Sequence, residues 1–238
     1  MELTMVIIAA LAPAVILLYY IYRKDSFQKE PVKEVLKAFF FGVLSIFVSL
    51  TISHPLGEMG LFVDNPQGFI GALMTSFFGA AIPEEIAKFI MFWLIVRRSR
   101  YFDEHMDGIV YASSVALGFA ALENIFYLLA NFDQWVSVGI TRALFSVPGH
   151  FFFGVLMGYY YSLVRFDPAT PKGTRWLVLV APMLAHGAYN TILFTIEVAP
   201  GLSLILMIVF LWLCNNLRKY ASARIREHLT RDGVLMNQ

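Results

Sequence analysis

Apolar residues in this chain come in seven long runs, at about 3–22, 35–53, 68–96, 107–130, 136–164, 176–197 and 201–217. Each is close to or above the roughly 20 residues that a helix needs to cross the hydrocarbon core of a bilayer. Backbone N–H and C=O groups must be satisfied within such a segment, and a helix does this. The pattern therefore predicts an all-α, polytopic integral membrane protein with about seven transmembrane helices. The runs 68–96 and 136–164 are long for a span, which predicts tilt or an interfacial turn. The connections are short and carry turn formers: Gly57, Gly60, Asn65-Pro66, Pro168 and Pro200-Gly201.

Charge orients the runs. Of the 18 Lys and Arg residues, only Lys88 and Arg142 lie deep within apolar runs; Lys37 stands at the start of the second. The others follow alternate runs: Arg23 to Lys37, Arg97 to Arg100, Arg165 to Arg175, and Arg218 to Arg231. The loops 54–67, 131–135 and 198–200 contain none. The positive-inside rule then predicts the N-terminus outside and the C-terminus cytoplasmic. The first run has no basic residue before it and a basic stretch after it, so an uncleaved first span is expected. Residues 1–217 read as a single transmembrane helical domain and 218–238 as a basic cytoplasmic tail.

Composition narrows the class further. The chain of 238 residues is 58% hydrophobic with mean hydropathy +0.67, which places it in the lipid bilayer of the cell membrane as a multi-pass protein. A net charge of +1 and the lack of a separate basic domain give no reason to expect a nucleic-acid partner. The single cysteine, Cys214, excludes an intramolecular disulfide and any CxxC metal site.

Against this background the polar residues inside the runs stand out. Glu84, Glu85 and Lys88 share the third run, Glu123 and Asn124 the fourth, Arg142 and His150 the fifth, and His186 and Asn190 the sixth. A Lys, Arg or Asp at a bilayer centre costs roughly 2.5–3.5 kcal/mol on insertion scales. Counted at about 1.5 Å per residue from the nearest charged markers at the basic end, Glu84, Glu85, Glu123, His150, His186 and Asn190 lie roughly 16–24 Å deep on four different helices. They fall in one layer. Small residues precede them at helical spacing (Ser76, Ala80, Glu84, Lys88; Arg142, Ser146, His150, Gly154, Gly158), so these faces are expected to pack on protein. Pro83, Pro148 and Pro182 stand beside the clusters, and each leaves a carbonyl without its helical partner, which predicts local breaks lining a hydrated pocket.

Three carboxyls against two cations leave one carboxyl without a partner, suited to general acid–base work. Spacing allows either Glu84 or Glu85 to pair with Lys88 and does not choose the base. Lys88 and Arg142 read as structural counter-ions. His150 and His186 can orient water or bind metal, and Asn124 and Asn190 can donate to a developing oxyanion. Base, orienting histidine and amide donor are what water attack on a peptide carbonyl requires. Two histidines and a carboxylate also suffice for a divalent metal such as zinc, with His150, His186 and Glu84 as the set. A single intramembrane His or Asn is more often a helix–helix hydrogen bond than a catalyst, so the reading rests on coincidence of depth. His54, His105 and His228 lie near boundaries or loops and are expected to be solvated. There is no HExxH, no GxSxG-type serine with a suitable histidine and no intramembrane Asp pair.

At these residues the chain resembles the PrsW family of membrane proteases, relatives of the CAAX prenyl endopeptidases and bacteriocin-processing enzymes. The matching features are Glu84-Glu85-x-x-Lys88, Phe119-x-x-x-Glu123-Asn124, His150 with Gly154, His186-x-x-x-Asn190, and the early Asp25…Glu30-Pro31. The resemblance implies a glutamate-dependent intramembrane endopeptidase acting on a membrane-anchored protein, an anti-sigma factor, on its extracytoplasmic side. It also implies that Glu84 or Glu85 activates water with His186 as partner, supported by His150, Asn190 and Glu123. Glu123 in the second motif, where the prenyl endopeptidases have His, favours the PrsW branch. Two other classes share such a layer, a proton-coupled transporter and a non-catalytic membrane scaffold. The odd number of spans, the lack of an internal repeat and the small size weigh against a carrier.

Overall fold

The computed structural model describes residues 2–235; Met1 and residues 236–238, the outer ends of the expected domain and tail, lie outside this range. Seven helical runs account for most of the chain. They are α1 (Glu2–Lys24), α2 (Val32–Glu58), α3 (68–96), α4 (His105–Ala130), α5 (135–166), α6 (Thr174–Val198) and α7 (Ser203–Leu235). Six are long and apolar enough on their own to cross a membrane. The exception, α3, is the one that carries Glu84, Glu85 and Lys88.

Helix α4 is the axis of the bundle. Its membrane window is 78% buried, against 22% for α1, and it packs on α1, α2, α3, α5 and α7. Small residues allow this close approach. A Cβ at Gly42 of α2 would overlap the Val115 carbonyl, and one at Gly118 the Phe39 carbonyl. On the other side, a Cβ at Gly158 of α5 would overlap the Gly108 carbonyl. The backbones of α2, α4 and α5 are thus nearly in contact at the level of the polar layer and below it. Among the described residues, the loops that need a left-handed residue are at the opposite end, at Gly60 and Gly68. There Gly60 at φ 74° closes α2, with Gly60 N–H donating to the Gly57 carbonyl and Leu61 N–H to that of Leu56.

Prolines shape the two helices that flank the polar layer. The helix does not break at Pro83 or Pro148. It widens just before each, into π-helical turns at Thr75–Ala81 and Arg142–Ser146. Ile82 N–H reaches back to the Phe77 carbonyl and Val147 N–H to that of Arg142. A proline lacks the N–H for its own helical bond, and the wider turn lets preceding groups find partners five residues back. Such a turn also rotates the following side chains, so Glu84 and His150 are re-aimed relative to a regular helix.

The last helix does more than span. At 33 residues α7 is about 50 Å long, and its second half folds no further but lies against the basic end of the bundle. The Tyr159 hydroxyl donates to Glu227 at 3.0 Å and accepts from Arg224 at 2.8 Å, and Arg231 pairs with Asp167 at 3.1 Å. Asp232 accepts the N–H groups of His105 and Met106 at 2.9 and 2.8 Å, capping the start of α4 from the far end of the chain. This corrects the expectation for two histidines. His105 is buried with Nδ1 2.9 Å from Asp232, and His228 is fully buried with Nε2 3.2 Å from the Tyr159 carbonyl. They read as boundary residues in sequence because only the packing of α7 covers them. His54 is exposed, as expected.

Candidate intramembrane active site

Four helices deliver the polar side chains to one place. From α3 come Glu84, Glu85 and Lys88, just after the π turn and Pro83. Glu123 and Asn124 come from α4, Arg142 and His150 from α5, and His186 and Asn190 from α6. Lys88 is the hub. Its ammonium lies 3.1 Å from Glu84, 2.9 Å from Glu85 and 3.0 Å from His150 Nδ1, and 4.1 Å from the centroid of the Phe119 ring. His186 Nδ1 lies 2.9 Å from Glu85, and its Nε2 lies 3.1 Å from the Asn190 amide and 3.9 Å from Glu84. His150 Nε2 lies 3.1 Å from Glu123, which also accepts from Arg142.

The donors decide both imidazole tautomers. An ammonium can only donate, so His150 Nδ1 accepts from Lys88 and its Nε2–H donates to Glu123. A carboxylate can only accept, so His186 Nδ1–H donates to Glu85, leaving Nε2 as the acceptor towards Asn190 and the Glu84 side. Each ring is oriented by a glutamate. Apart from the histidines, the site carries three carboxylates against two cations.

Exposure separates the two adjacent glutamates. Glu85 is sealed at 0%, while Glu84 keeps 13% of its side chain accessible. Adjacent positions on a helix point about 100° apart, so Glu85 enters the sealed Lys88–His186 contact and Glu84 leaves α3 on a less covered side. A cavity of about 450 Å³ lies next to His186, lined by Glu123, Arg142, His150, His186 and Asn190 on its polar wall. Its apolar wall includes Val138, Leu193, Phe194 and Met207. Ser137 and Glu197 also line it, so it extends to the bundle end that lacks basic loops.

Glu84, Glu85, His150 and His186 can each offer a ligand atom within 4.8 Å of the others. Two imidazoles with carboxylates are the donor set of a catalytic zinc, and Glu85 Oε2 is buried without a hydrogen-bond partner. The residues therefore fit a divalent metal, with Lys88 standing among the same donors.

Asn124 behaves differently from its sequence reading. It is fully buried and not part of the cavity wall. Its amide donates to the Ala10 carbonyl at 3.0 Å and its oxygen accepts from Arg142 at 2.5 Å. The oxyanion-donor expectation is corrected for this residue: it holds Arg142 and ties α1 to α4, and Asn190 is the amide at the cavity. Three aromatic residues were not assigned a role in sequence. Phe119 covers Lys88, Tyr127 lies under Arg142 at 3.9 Å, and Phe153 stacks on His186 at 4.8 Å. Phe119 and Tyr127 sit four residues either side of Glu123, a spacing that marks them as its neighbours on one helix face.

A helical membrane bundle with paired glutamates, two histidines and a polar cavity within its span is the architecture of an intramembrane protease. The family model described as PrsW family intramembrane metalloprotease matches residues 30–214, and the chain belongs to the PrsW family. Protease PrsW of Bacillus subtilis (strain 168) is 40% identical over 221 residues, covering 92% of this chain and 95% of that protein. Protease PrsW of Geobacillus kaustophilus is 40% identical over 189 residues, covering 79% and 80%. That of Clostridioides difficile (strain 630) is 30% identical, covering 89% of each. No solved structure matches the chain.

Proposed function

We propose that this intramembrane protease cleaves a single-span, membrane-anchored anti-sigma factor on its extracytoplasmic side, with Glu84 as the base that activates water. The observation that carries the choice of base is the contrast between the accessible Glu84 and the sealed Glu85. Glu84 can take a proton from a water beside His186 Nε2, which lies 3.9 Å away. Glu85 acts through its partners: it fixes the His186 tautomer and neutralises Lys88. Lys88, 3.1 Å away, holds Glu84 in place. Asn190 can donate to the oxygen of the attacked carbonyl, and His150, held by the Arg142-paired Glu123, lines the same polar wall.

His150 and His186, with Glu85 through its unpartnered Oε2, would hold a zinc-like divalent metal and leave Glu84 free as the base. Such a metal supplies Lewis-acid polarisation of a carbonyl and lowers the pKa of water. The family's description as metalloproteases supports its presence.

The position of the cavity supports the side of cleavage. It extends towards Ser137 and Glu197, next to the loops without Lys or Arg, which the charge rule assigns to the exterior. Topology is checked by cysteine labelling in a Cys214→Ser background. Asn65→Cys is expected to react with an impermeant maleimide on intact cells, and Arg98→Cys only after permeabilisation. The reverse pattern would invert the orientation.

Function is checked with purified protein in liposomes and a tagged single-span anti-sigma factor. Cleavage mapped by mass spectrometry is expected near the extracytoplasmic end of the substrate helix, and to be lost on chelation and restored by zinc. Products cut at the cytoplasmic end would reject the assigned side, and no cleavage of anti-sigma factors beside cleavage of other single-span proteins would reject the substrate class.

A further inference from the structure

The bundle's basic end holds a second group of buried acids that the protease site does not use. Asp25, Glu104 and Asp107 each offer a carboxylate oxygen within 4.8 Å of the others, and none is more than 5% exposed. One oxygen of each is spent on backbone. Asp25 Oδ2 accepts Glu30 N–H at 2.8 Å, Asp107 Oδ2 accepts the N–H groups of Asp103 and Glu104 at 2.9 and 2.7 Å, and Glu104 Oε2 accepts Gln28 N–H at 3.4 Å. The other oxygen of each, Asp25 Oδ1, Glu104 Oε1 and Asp107 Oδ1, is buried with no hydrogen-bond partner.

A fourth carboxylate from outside the trio points the same way. Glu30 is 2% exposed, and the Tyr111 hydroxyl donates to its Oε2. Its Oε1 is buried and without a partner, and Asp25 and Asp107 are among its nearest charged neighbours. Backbone and phenol contacts thus orient four carboxylates so that each keeps one bare oxygen in a dry space.

Lys29 offsets Asp25 only at longer range. Arg23, Lys24, Lys29, Arg97, Arg98 and Arg100 surround this end, yet among the described residues no Lys or Arg forms an ion pair with any of the four. Burial pushes the Asp25 and Glu104 carboxyls above the usual carboxylate range and Glu30 up to about 7. Bare, buried, like-charged oxygens are strongly unfavourable unless a cation or shared protons compensate them.

We propose that Asp25, Glu104 and Asp107, with Glu30 beside them, form a second metal site, which takes a hard divalent cation of the Mg²⁺/Ca²⁺ class. The donors are all oxygen, with no imidazole or thiolate, which selects such ions over zinc. The site lies about 24 Å along α4 from Glu123, so it is separate from the protease centre. The cation ties the 25–31 loop, between α1 and α2, to the 97–104 loop and the start of α4. Asp232 of α7 caps the same helix end, so a cation here braces the end of the bundle opposite the cavity mouth.

The test uses the full chain in detergent, stripped with EDTA. Thermal unfolding is followed against added Mg²⁺ or Ca²⁺, beside Asp25→Asn and Glu104→Gln, which keep shape and backbone acceptors. Wild type is expected to gain about 5 °C or more at 100-fold excess over the dissociation constant, and both variants to lose most of that gain. Tb³⁺ luminescence, sensitised by Tyr111, gives a second readout: signal in wild type, displaced by Ca²⁺ or Mg²⁺, and reduced at least tenfold in both variants. The proposal is overturned if wild type shows no divalent-dependent shift, if the shift depends on pH alone as shared protons would require, or if both variants keep the full shift and Tb³⁺ signal. Should one variant fail to fold, the other and the wild-type titration decide.

Discussion

Glu84→Gln is expected to lower the rate of substrate cleavage by at least about 10²–10⁴-fold, the contribution of acid–base catalysis, with thermal stability unchanged. Gln keeps the shape and can still accept from Lys88 but cannot take a proton from water. The change strands no charge, since Lys88 retains Glu85 at 2.9 Å and Glu84 is the partly accessible member of the pair. Glu85→Gln should behave differently. It removes the acceptor that fixes the His186 tautomer and a fully buried partner of Lys88, so both rate and melting temperature should fall. Single-turnover cleavage in liposomes, with melting of the same preparations, separates the two. A Glu84→Gln protein that cleaves at near wild-type rate would remove Glu84 as the base; if Glu85→Gln alone were inactive, the assignment would pass to Glu85.

Lys88→Met should damage the fold more than any other single change in the site. Removing one partner of a buried ion pair typically costs about 3–5 kcal/mol, because the other charge is left buried and uncompensated. Here two carboxylates lose their common cation and His150 loses the donor to Nδ1. At roughly 2–4 °C per kcal/mol for a chain of this size, the melting temperature should fall by about 6–20 °C. Adding Glu85→Gln should recover part of the loss, since one stranded charge is then gone. A Lys88→Met protein with wild-type melting would show that the ammonium is not the counter-ion the geometry makes it. Failure of the double variant to recover any stability would mean that packing of the lysine stem on Phe119 dominates.

The two experiments also bear on what could be read from residues alone. That Glu84, Glu85, Glu123, His150, His186 and Asn190 lie in one layer was legible, because rise per residue turns sequence separation into depth within a span. Which glutamate is accessible was not. That depends on rotation about α3, and the π turn at Thr75–Ala81 changes the rotation in a way that Pro83 announces but does not quantify. Asn124 was misread as an oxyanion donor for a similar reason. Its depth suits the site, but its amide is committed to Ala10 on a helix more than a hundred residues earlier. The cover over His105 and His228 was hidden because nothing local in the 218–235 segment says that it lies against the bundle.

By itself, the sequence determined what short-range physics controls. Run lengths dictate helices, since bilayer thickness demands about 20 residues and every backbone group needs a partner within its own segment. The basic loops predict an orientation, and the spacing of polar and small residues specifies depth and face. Tertiary structure alone decided which groups touch. Lys88 as the common partner of both glutamates and His150, the two imidazole tautomers, and the gathering of Asp25, Glu30, Glu104 and Asp107 all join residues distant in the chain. Such contacts depend on how helices rotate and approach, which close glycine crossings at Gly42, Gly118 and Gly158 govern. A repeat of 3.6 residues per turn fixes each helix's own faces, whereas the partner of each face is a property of the packed bundle.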